Sequence, residues 1–481
     1  MTLRQNILTG LVLSLLAFQS LVLVILVFFP YLPDPGLAAL NTEVYELLAP
    51  LSTVLLLGLL YAWLIRLGTR EARRRWAWFN LFVRFISEPF RKVVSSIKTT
   101  SLSDAAKSLK VLSHPRLMVA IGLCISTLLA FVPYRPDLNP TGSLVGIDSP
   151  LYLGWIGQML ARPLPQALQY SFVEGLEGSR PLLLVLLYLV ASAGISPSQI
   201  LEYLPMVLAP LLSLSTYVFV RYGHGSSSLA GLTVILSSVS FYTTVGLWGG
   251  YYANWLALIL VYLFLTSLLV FSRSPSKIKY GSTYALSVAL LLTHPWTWVL
   301  ITTVCAVFAI TLWRETRNLV HLKSLAGIIA TGIILDLVKS WAFASRSVAA
   351  DIATKAPNGA GVLLYFWNNL VYGLLFTHGG LTANWLSLGL GLLAVFMLRF
   401  KDWFERLLLL WVGIPSIAFV LLDSYHQARI VYDLPIPVLM SIAVVSLLPQ
   451  KASRNIRWPG LVLLLLVFVS VSYALQGVLL L

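Results

Sequence analysis

The chain has 481 residues, 58% of them hydrophobic and 11% charged, with a mean hydropathy of +0.86 and a formal net charge of +15. A soluble domain is roughly 45–50% apolar and about 25% charged, so composition excludes an ordinary cytosolic enzyme, a disordered scaffold and a disulfide-built secreted module. In a soluble protein the positive charge would point to nucleic acid. Here its placement marks membrane orientation instead, and the chain reads as an all-α, polytopic membrane protein with no nucleic-acid partner.

A helix crosses the hydrocarbon with roughly 20 mainly apolar residues. Runs that meet or approach this length lie at 7–29, 47–66, 117–134, 201–220, 226–245, 253–271, 281–294, 297–312, 324–342, 383–398, 407–423, 431–448 and 459–480. They predict about 13 transmembrane helices. The first run has no small-residue cleavage site before Pro30 and is expected to be retained. Lys and Arg set the orientation. With the amino terminus inside, Arg135, Arg162, Arg180, Arg346, Lys355 and Arg429 face outside and Lys339 falls within a span, while the rest of the 33 basic residues lie inside.

The same rule settles two short apolar segments. If Pro181–Ile195 spanned, Arg221, Arg273, Lys277 and Lys279 would be exported; if Gly361–Phe376 spanned, Arg399, Lys401 and Arg406 would be. Both are therefore read as helices that dip into the outer leaflet. Trp248, Trp255, Trp296 and Trp298 are expected at the outer boundary and Trp76, Trp78, Trp313, Trp403 and Trp458 at the inner one. Cys124 and Cys305 sit in apolar runs as small core residues, with no metal-ligand spacing.

Three regions follow. Residues 1–67 form a two-helix membrane hairpin, 68–116 a basic cytoplasmic interfacial segment, and 117–481 a transmembrane module whose first outer loop is 134–200. The basic segment carries Trp76-Ala-Trp-Phe-Asn-Leu-Phe-Val-Arg-Phe-Ile, a mixture of aromatics and charge suited to a helix lying on anionic lipid; a cytoplasmic partner site is the other reading. The outer loop holds Asp137, Asp148, Glu174 and Glu177, the densest acidic group on that face. Long loops in compact proteins are usually functional or disordered, and this one has the punctuation of an ordered segment.

After the span at 117–134 come Tyr134-Arg-Pro-Asp137 and Gly146-Ile-Asp148-Ser-Pro-Leu-Tyr-Leu-Gly-Trp, then an apolar helix opened by Ser179-Arg-Pro. Further on are Gly249-Gly-Tyr-Tyr-Ala-Asn254, Leu292-Thr-His294-Pro-Trp and Arg429-Ile-Val-Tyr-Asp-Leu-Pro435. This order, over roughly residues 117–450, resembles the integral-membrane glycosyltransferases of the GT-C superfamily. The resemblance implies a GT-C-like fold and a sugar donor carried on polyprenyl phosphate, used on the extracytoplasmic face. An acidic residue of the first outer loop, here Asp148, would be the catalytic base. Many relatives place two adjacent acids in that loop, whereas Asp137 and Asp148 are eleven residues apart, and no acid occupies 246–252.

Glycosyl transfer from a sugar phosphate requires a base for the acceptor and cationic groups for the departing phosphate. Asp148 is the first candidate for the base and Asp137 the second. Asp-Ser-Pro also reads simply as a helix start, with Ser149 as N-cap and Asp148 complementing the helix dipole, and Asp137 also reads as a turn residue. Arg429 is the leading phosphate ligand, since a guanidinium offers paired donors and stays charged; His426 and Tyr432 could assist it. The plainer reading is an interfacial anchor, or a partner of Asp423 or Asp433.

Lys339 shares a helix face with Asp336 and could reach a lipid phosphate or close an internal ion pair. His294 could orient a phosphate or a sugar hydroxyl, or simply pack. Glu174 could line an acceptor groove or be solvated. No metal ligands are assigned and no cofactor is required, although the chemistry admits a divalent cation, Mg or Mn.

The expected function is transfer of a sugar from a polyprenyl-phosphate carrier to an acceptor at the outer face of the plasma membrane. The expected partners are that donor, membrane lipids and an acceptor of unspecified class. The alternative is a secondary transporter or lipid flippase, which would favour inverted repeats and midplane polar groups. A scaffold would leave the acidic outer loop without a role.

Overall fold

The computed structural model describes residues 114–343, 385–400, 402–419 and 429–447, with isolated helical positions between 467 and 478. The amino-terminal hairpin, the basic segment and the dipping helix read at 361–376 lie outside the described residues. Among those described, every regular element is helical.

Helix α1 (Pro115–Phe131) runs into a 3-10 turn at Val132–Tyr134. The loop that follows carries α2 (Ser149–Leu160), α3 (Leu164–Val173) and α4 (Pro181–Ser192). Next come α5 (Pro197–Gly223), α6 (Ser227–Ser238), α7 (Phe241–Gly249), α8 (Tyr252–Arg273), α9 (Lys277–Thr293), α10 (Pro295–Thr316) and α11 (Leu319–Phe343). After the gap come α12 (Trp385–Met397), α13 (Trp403–Phe419), a helical turn at 429–432 and α14 (Ile436–Leu447).

Among the described residues, six helical segments are long and apolar enough to cross a membrane: Pro115–Tyr134, Pro197–Gly223, Ser227–Gly249, Tyr252–Arg273, Pro295–Thr316 and Leu319–Phe343. Each coincides with a predicted run, and together they make this a membrane-embedded protein. Helices α9, α12, α13 and α14 fall on four more predicted runs, but they have only 12–17 residues each. Helix α4 has 12 residues, about 18 Å at the helical rise, against a core of about 30 Å. It is too short to cross, as the charge balance requires.

The interior is built on α5, α6 and α8, with α1 against α5 and α6, and α14 against α6 and α12. Segment 227–249 is wholly buried but is not one continuous helix. It breaks at Val239–Ser240, and Ser240 Oγ accepts from the Tyr242 amide (3.3 Å) to restart it. A second interruption, at Asp433–Pro435, separates the turn at 429–432 from α14.

Breaks away from water leave backbone groups that must be satisfied by other means. Tyr242, in the first turn after the first break, ties the two together. The Tyr242 carbonyl accepts from Trp255 Nε1 (2.6 Å) and from the Tyr432 hydroxyl (2.8 Å), and the Tyr242 hydroxyl donates to the Leu434 carbonyl.

Three sequence expectations are corrected. Trp255 and Trp298 are core residues at 0% and 5% exposure rather than boundary residues, because each indole N–H has an interior acceptor, Tyr242 O and Ser287 Oγ (2.9 Å) respectively. Cys124 faces outward from its helix, and Cys305 alone of the two is buried. Helix α2 begins at Ser149, so Asp148 rather than Ser149 occupies the N-cap position.

Tyr242→Phe strips the buried Leu434 carbonyl of this donor. The carbonyl keeps the Ile436 amide (2.8 Å), so the change is expected to cost about 0.5–1.5 kcal/mol and to appear as a lower unfolding temperature of the detergent-solubilised chain. An unchanged unfolding temperature would mean that the two interruptions are not coupled through this hydroxyl.

Candidate functional site

Asp148 is positioned by backbone rather than by side chains. Gly146 (φ +100°) and Gly250 (φ +65°) both adopt the left-handed conformations that glycine tolerates. They meet in close contact: a Cβ on Gly146 would lie 2.7 Å from both the amide nitrogen and the Cα of Gly250. That approach lets Ile147 N–H donate to the Trp248 carbonyl (3.1 Å) and Asp148 N–H to the Gly249 carbonyl (3.0 Å). Ser149 Oγ then contacts the Tyr252 hydroxyl at 2.8 Å. The first outer loop is thus clamped onto the turn between α7 and α8.

The Asp148 side chain makes no capping hydrogen bond to α2, so capping does not account for it. Half-burial raises its carboxyl above the ordinary 3.8, opposed by the Arg180 and Arg429 guanidiniums. These cations come from distant parts of the chain. Arg180 is buried at 8% exposure, immediately before Pro181 at the start of α4, where the helix dipole already presents positive charge. Arg429 lies in the helical residues 429–432 beside the second interruption. Tyr251 lies within electrostatic reach of Asp148 and of both arginines, its phenol raised by burial and by the carboxylate. Its ring meets Tyr432 edge-on at 5.8 Å. Tyr152 sits against the Arg180 guanidinium, also near Asp148.

A buried polar chain joins this cluster. His294 connects α9 to α10 and caps α10, its Nδ1 3.3 Å from the Thr297 amide and 2.8 Å from Thr297 Oγ1. Thr297 Oγ1 donates to Asp433 Oδ2 at 2.8 Å. Arg180 and Arg429 both act electrostatically on the His294 ring, and Arg429 also on Asp433.

The remaining sequence candidates stand in other settings. Asp137 is exposed and engaged by Arg135, which holds its carboxyl below the ordinary value. Glu174 is exposed, 3.7 Å from Arg162, whose guanidinium covers the Tyr170 ring. Lys339 pairs with Asp336 at 3.3 Å, both buried, and its Nζ lies 3.4 Å from the Gly178 carbonyl. The Tyr432 hydroxyl is committed to the Tyr242 carbonyl, so its contribution near Arg429 is made through its ring. His426 lies outside the described residues, as does Asp423. Among the described residues no three His, Cys, Asp or Glu side chains form a group able to hold a metal ion.

Sequence reasoning brought Asp148, Arg429 and His294 into view and passed over Arg180, Tyr251, Thr297 and Asp433 as site residues. Arg180 carried a readable signal. It is one of few outer cations and sits directly before a proline-initiated helix, where a positive charge is unfavourable without an anion to meet it. Neither a family model nor a curated protein sequence matches the chain.

Gly146→Ala is expected to destabilise by about 1–3 kcal/mol through backbone strain alone, and to do so more than Gly142→Ala. Gly142 also has positive φ (+63°), but no atom lies within 4 Å of a Cβ placed there. Equal unfolding temperatures for the two variants would remove the loop clamp. For Asp148, a folded-state pKa above 3.8 means that ionisation opposes folding. Stability present below that pH is lost as pH rises through and beyond it. Asp148→Asn is therefore expected to unfold at a higher temperature than the parent at pH 7, the difference closing towards pH 3.5 or so. A less stable variant at pH 7 would make Asp148 an ordinary ion-pair residue.

Proposed function

We propose that this chain is a GT-C-type glycosyltransferase that moves a sugar from a polyprenyl-phosphate carrier to an acceptor on the extracytoplasmic face of the plasma membrane. The observation that carries the reading is a half-buried carboxylate, free of capping duty, within electrostatic reach of two guanidiniums. The charge-based topology supports the same reading, with about 13 spans, a cytoplasmic amino terminus and the polar groups gathered outside.

Asp148 takes the proton of an acceptor hydroxyl or amide as that group bonds to the anomeric carbon. The bond between that carbon and the phosphate oxygen breaks, and its electron pair leaves with the lipid phosphate. Arg429 and Arg180 stabilise the departing charge, which arginine does well because its planar donors pair with phosphate oxygens. Burial suits Asp148 to the task by making it a stronger base than a solvated carboxylate. Tyr251 stands where it can orient the reacting groups. The lipid tail enters from the outer leaflet.

A lipid flippase or secondary transporter is the second reading, favoured by the two interrupted helices in the interior, a feature of transporters. Transfer and transport separate cleanly by assay. Purified protein is given a panel of polyprenyl-phosphate sugars and tested for transfer or slow donor hydrolysis, and in vesicles for donor translocation. Transfer by the parent is expected to fall about 100-fold or more in Asp148→Asn, the scale of a lost general base, and to fall in Arg429→Gln and Arg180→Gln. Translocation without transfer, indifferent to Asp148→Asn, would replace the enzyme with the transporter.

A further inference from the structure

Helix α11 carries a buried ion pair that the proposed chemistry leaves without a role. Its buried residues, His321, Leu325, Ile328, Gly332, Asp336 and Lys339, form one stripe, while Ile333, Ile334, Leu337 and Val338 are exposed. Charge within a span survives where protein buries and pairs it. Asp336 does this from the same helix, 3.3 Å from Lys339 Nζ. Lys339 Nζ also donates to the Gly178 carbonyl at 3.4 Å, 161 positions away. One turn further along α11, Phe343 stacks on Phe172 at 4.9 Å. The last turns of α11 are thus fastened to the turn that precedes Arg180.

Arg180 is mounted from both sides. On its carboxyl side Pro181 opens α4 and restricts the Arg180 backbone. On its amino side only Ser179 separates it from Gly178, which is buried and has positive φ (+69°). The same turn packs on α4, since a Cβ on Gly175 would lie 2.5 Å from Leu184 Cδ1. Glycine has the widest backbone freedom of any residue, so a donor that holds the Gly178 carbonyl removes the freedom that would let Arg180 swing away. We propose that Lys339 is a positioning residue: by holding the Gly178 carbonyl it keeps the Arg180 guanidinium within reach of Asp148. Its part in sugar transfer rests on the reading above; the positioning itself does not.

The test is infrared titration of the Asp148 carboxyl in the full detergent-solubilised chain, its carboxylic-acid band identified by its absence in Asp148→Asn. Arg180 and Arg429 are the charges acting on Asp148, with the phenols of Tyr152 and Tyr251 beside it. Loss of an opposite charge disfavours the ionised form, so Arg180→Gln moves the titration to higher pH and sets the full scale. Asp336→Leu combined with Lys339→Met removes the pair without leaving a buried charge uncompensated. It is expected to move the titration the same way, by about half a pH unit or more and no further than Arg180→Gln. Lys339→Arg, which keeps a cationic donor, is expected to titrate as the parent does. Gly332→Ala puts a Cβ 2.2 Å from Trp298 on the same stripe of α11; it is expected to lower the unfolding temperature and leave the titration in place.

A titration unmoved by the paired substitution overturns the proposal. So does a shift of the same size in an Arg180→Gln background, because the effect would then bypass Arg180. An equal shift in Gly332→Ala also overturns it, since general loosening of α11 would suffice. Asp336→Asn combined with Lys339→Leu takes the place of the first pair if that variant does not fold. The titration needs no donor or acceptor, so it separates the two ideas. The expected shifts in a parent without transfer activity would remove the glycosyltransferase and leave the positioning; an unmoved titration in an active enzyme would do the reverse.

Discussion

The architecture turns on the backbone groups exposed by two helix interruptions in an environment that offers no water. A broken helix in hydrocarbon survives only where protein satisfies the freed carbonyls and amides. At the first break Ser240 Oγ takes up the Tyr242 amide, and Tyr242 links the two breaks, its carbonyl accepting from Trp255 and Tyr432 and its hydroxyl donating to Leu434. The break at Val239–Ser240 and the break at Asp433–Pro435 are therefore fastened to one another. What that fastening positions is the turn at 429–432 that brings Arg429 to the outer cluster and Asp433 to Thr297. Polar groups of the site and polar repair of the fold are supplied by the same few residues.

The outer loop is fixed by a second device of the same kind. Two glycines in left-handed conformations let backbone meet backbone, and the amides of Ile147 and Asp148 add the hydrogen bonds that close the clamp. Every other route to holding Asp148 would use its carboxylate. Because main-chain atoms do the holding, the carboxylate takes no part in fixing the loop. Its surroundings then set a contest between burial, which favours the neutral acid, and two guanidiniums, which favour the ion. Burial is the larger effect, although each arginine carries a full charge. The outcome is a carboxylate more basic than a solvated aspartate.

Much of the fold was legible because membrane helices are a matter of length and apolarity, both local properties. Six predicted runs are long apolar helices among the described residues, and the short helix Pro181–Ser192 agrees with a segment read as non-spanning from its length and the charge balance around it. What the sequence could not convey was which apolar residues face inward. Trp255 and Trp298 looked like boundary residues because boundary tryptophans and interior ones have the same neighbours in the chain. Only the distant acceptors, Tyr242 O and Ser287 Oγ, distinguish them. Cys124 and Cys305 were indistinguishable for the same reason. For the site, Asp148, Arg429 and His294 stood out by type and location. Thr297 and Asp433 acquire meaning only through a contact spanning 136 positions.

A site of this composition is in conflict with stability. It holds a carboxylate that would fold better neutral, a cation at a helix end that would prefer an anion, and a histidine edge without a partner. Each opposes folding, and none is relieved by the others, since Arg180 and Arg429 only partly offset the burial of Asp148. Buried groups without a hydrogen-bond partner occur elsewhere among the described residues, the Ser126 and Thr244 hydroxyls among them. What sets this cluster apart is that a carboxylate and an imidazole from different parts of the chain both feel the same two guanidiniums. Residual strain of this type is a feature of functional sites, and that is the ground on which the proposed chemistry is assigned to this cluster.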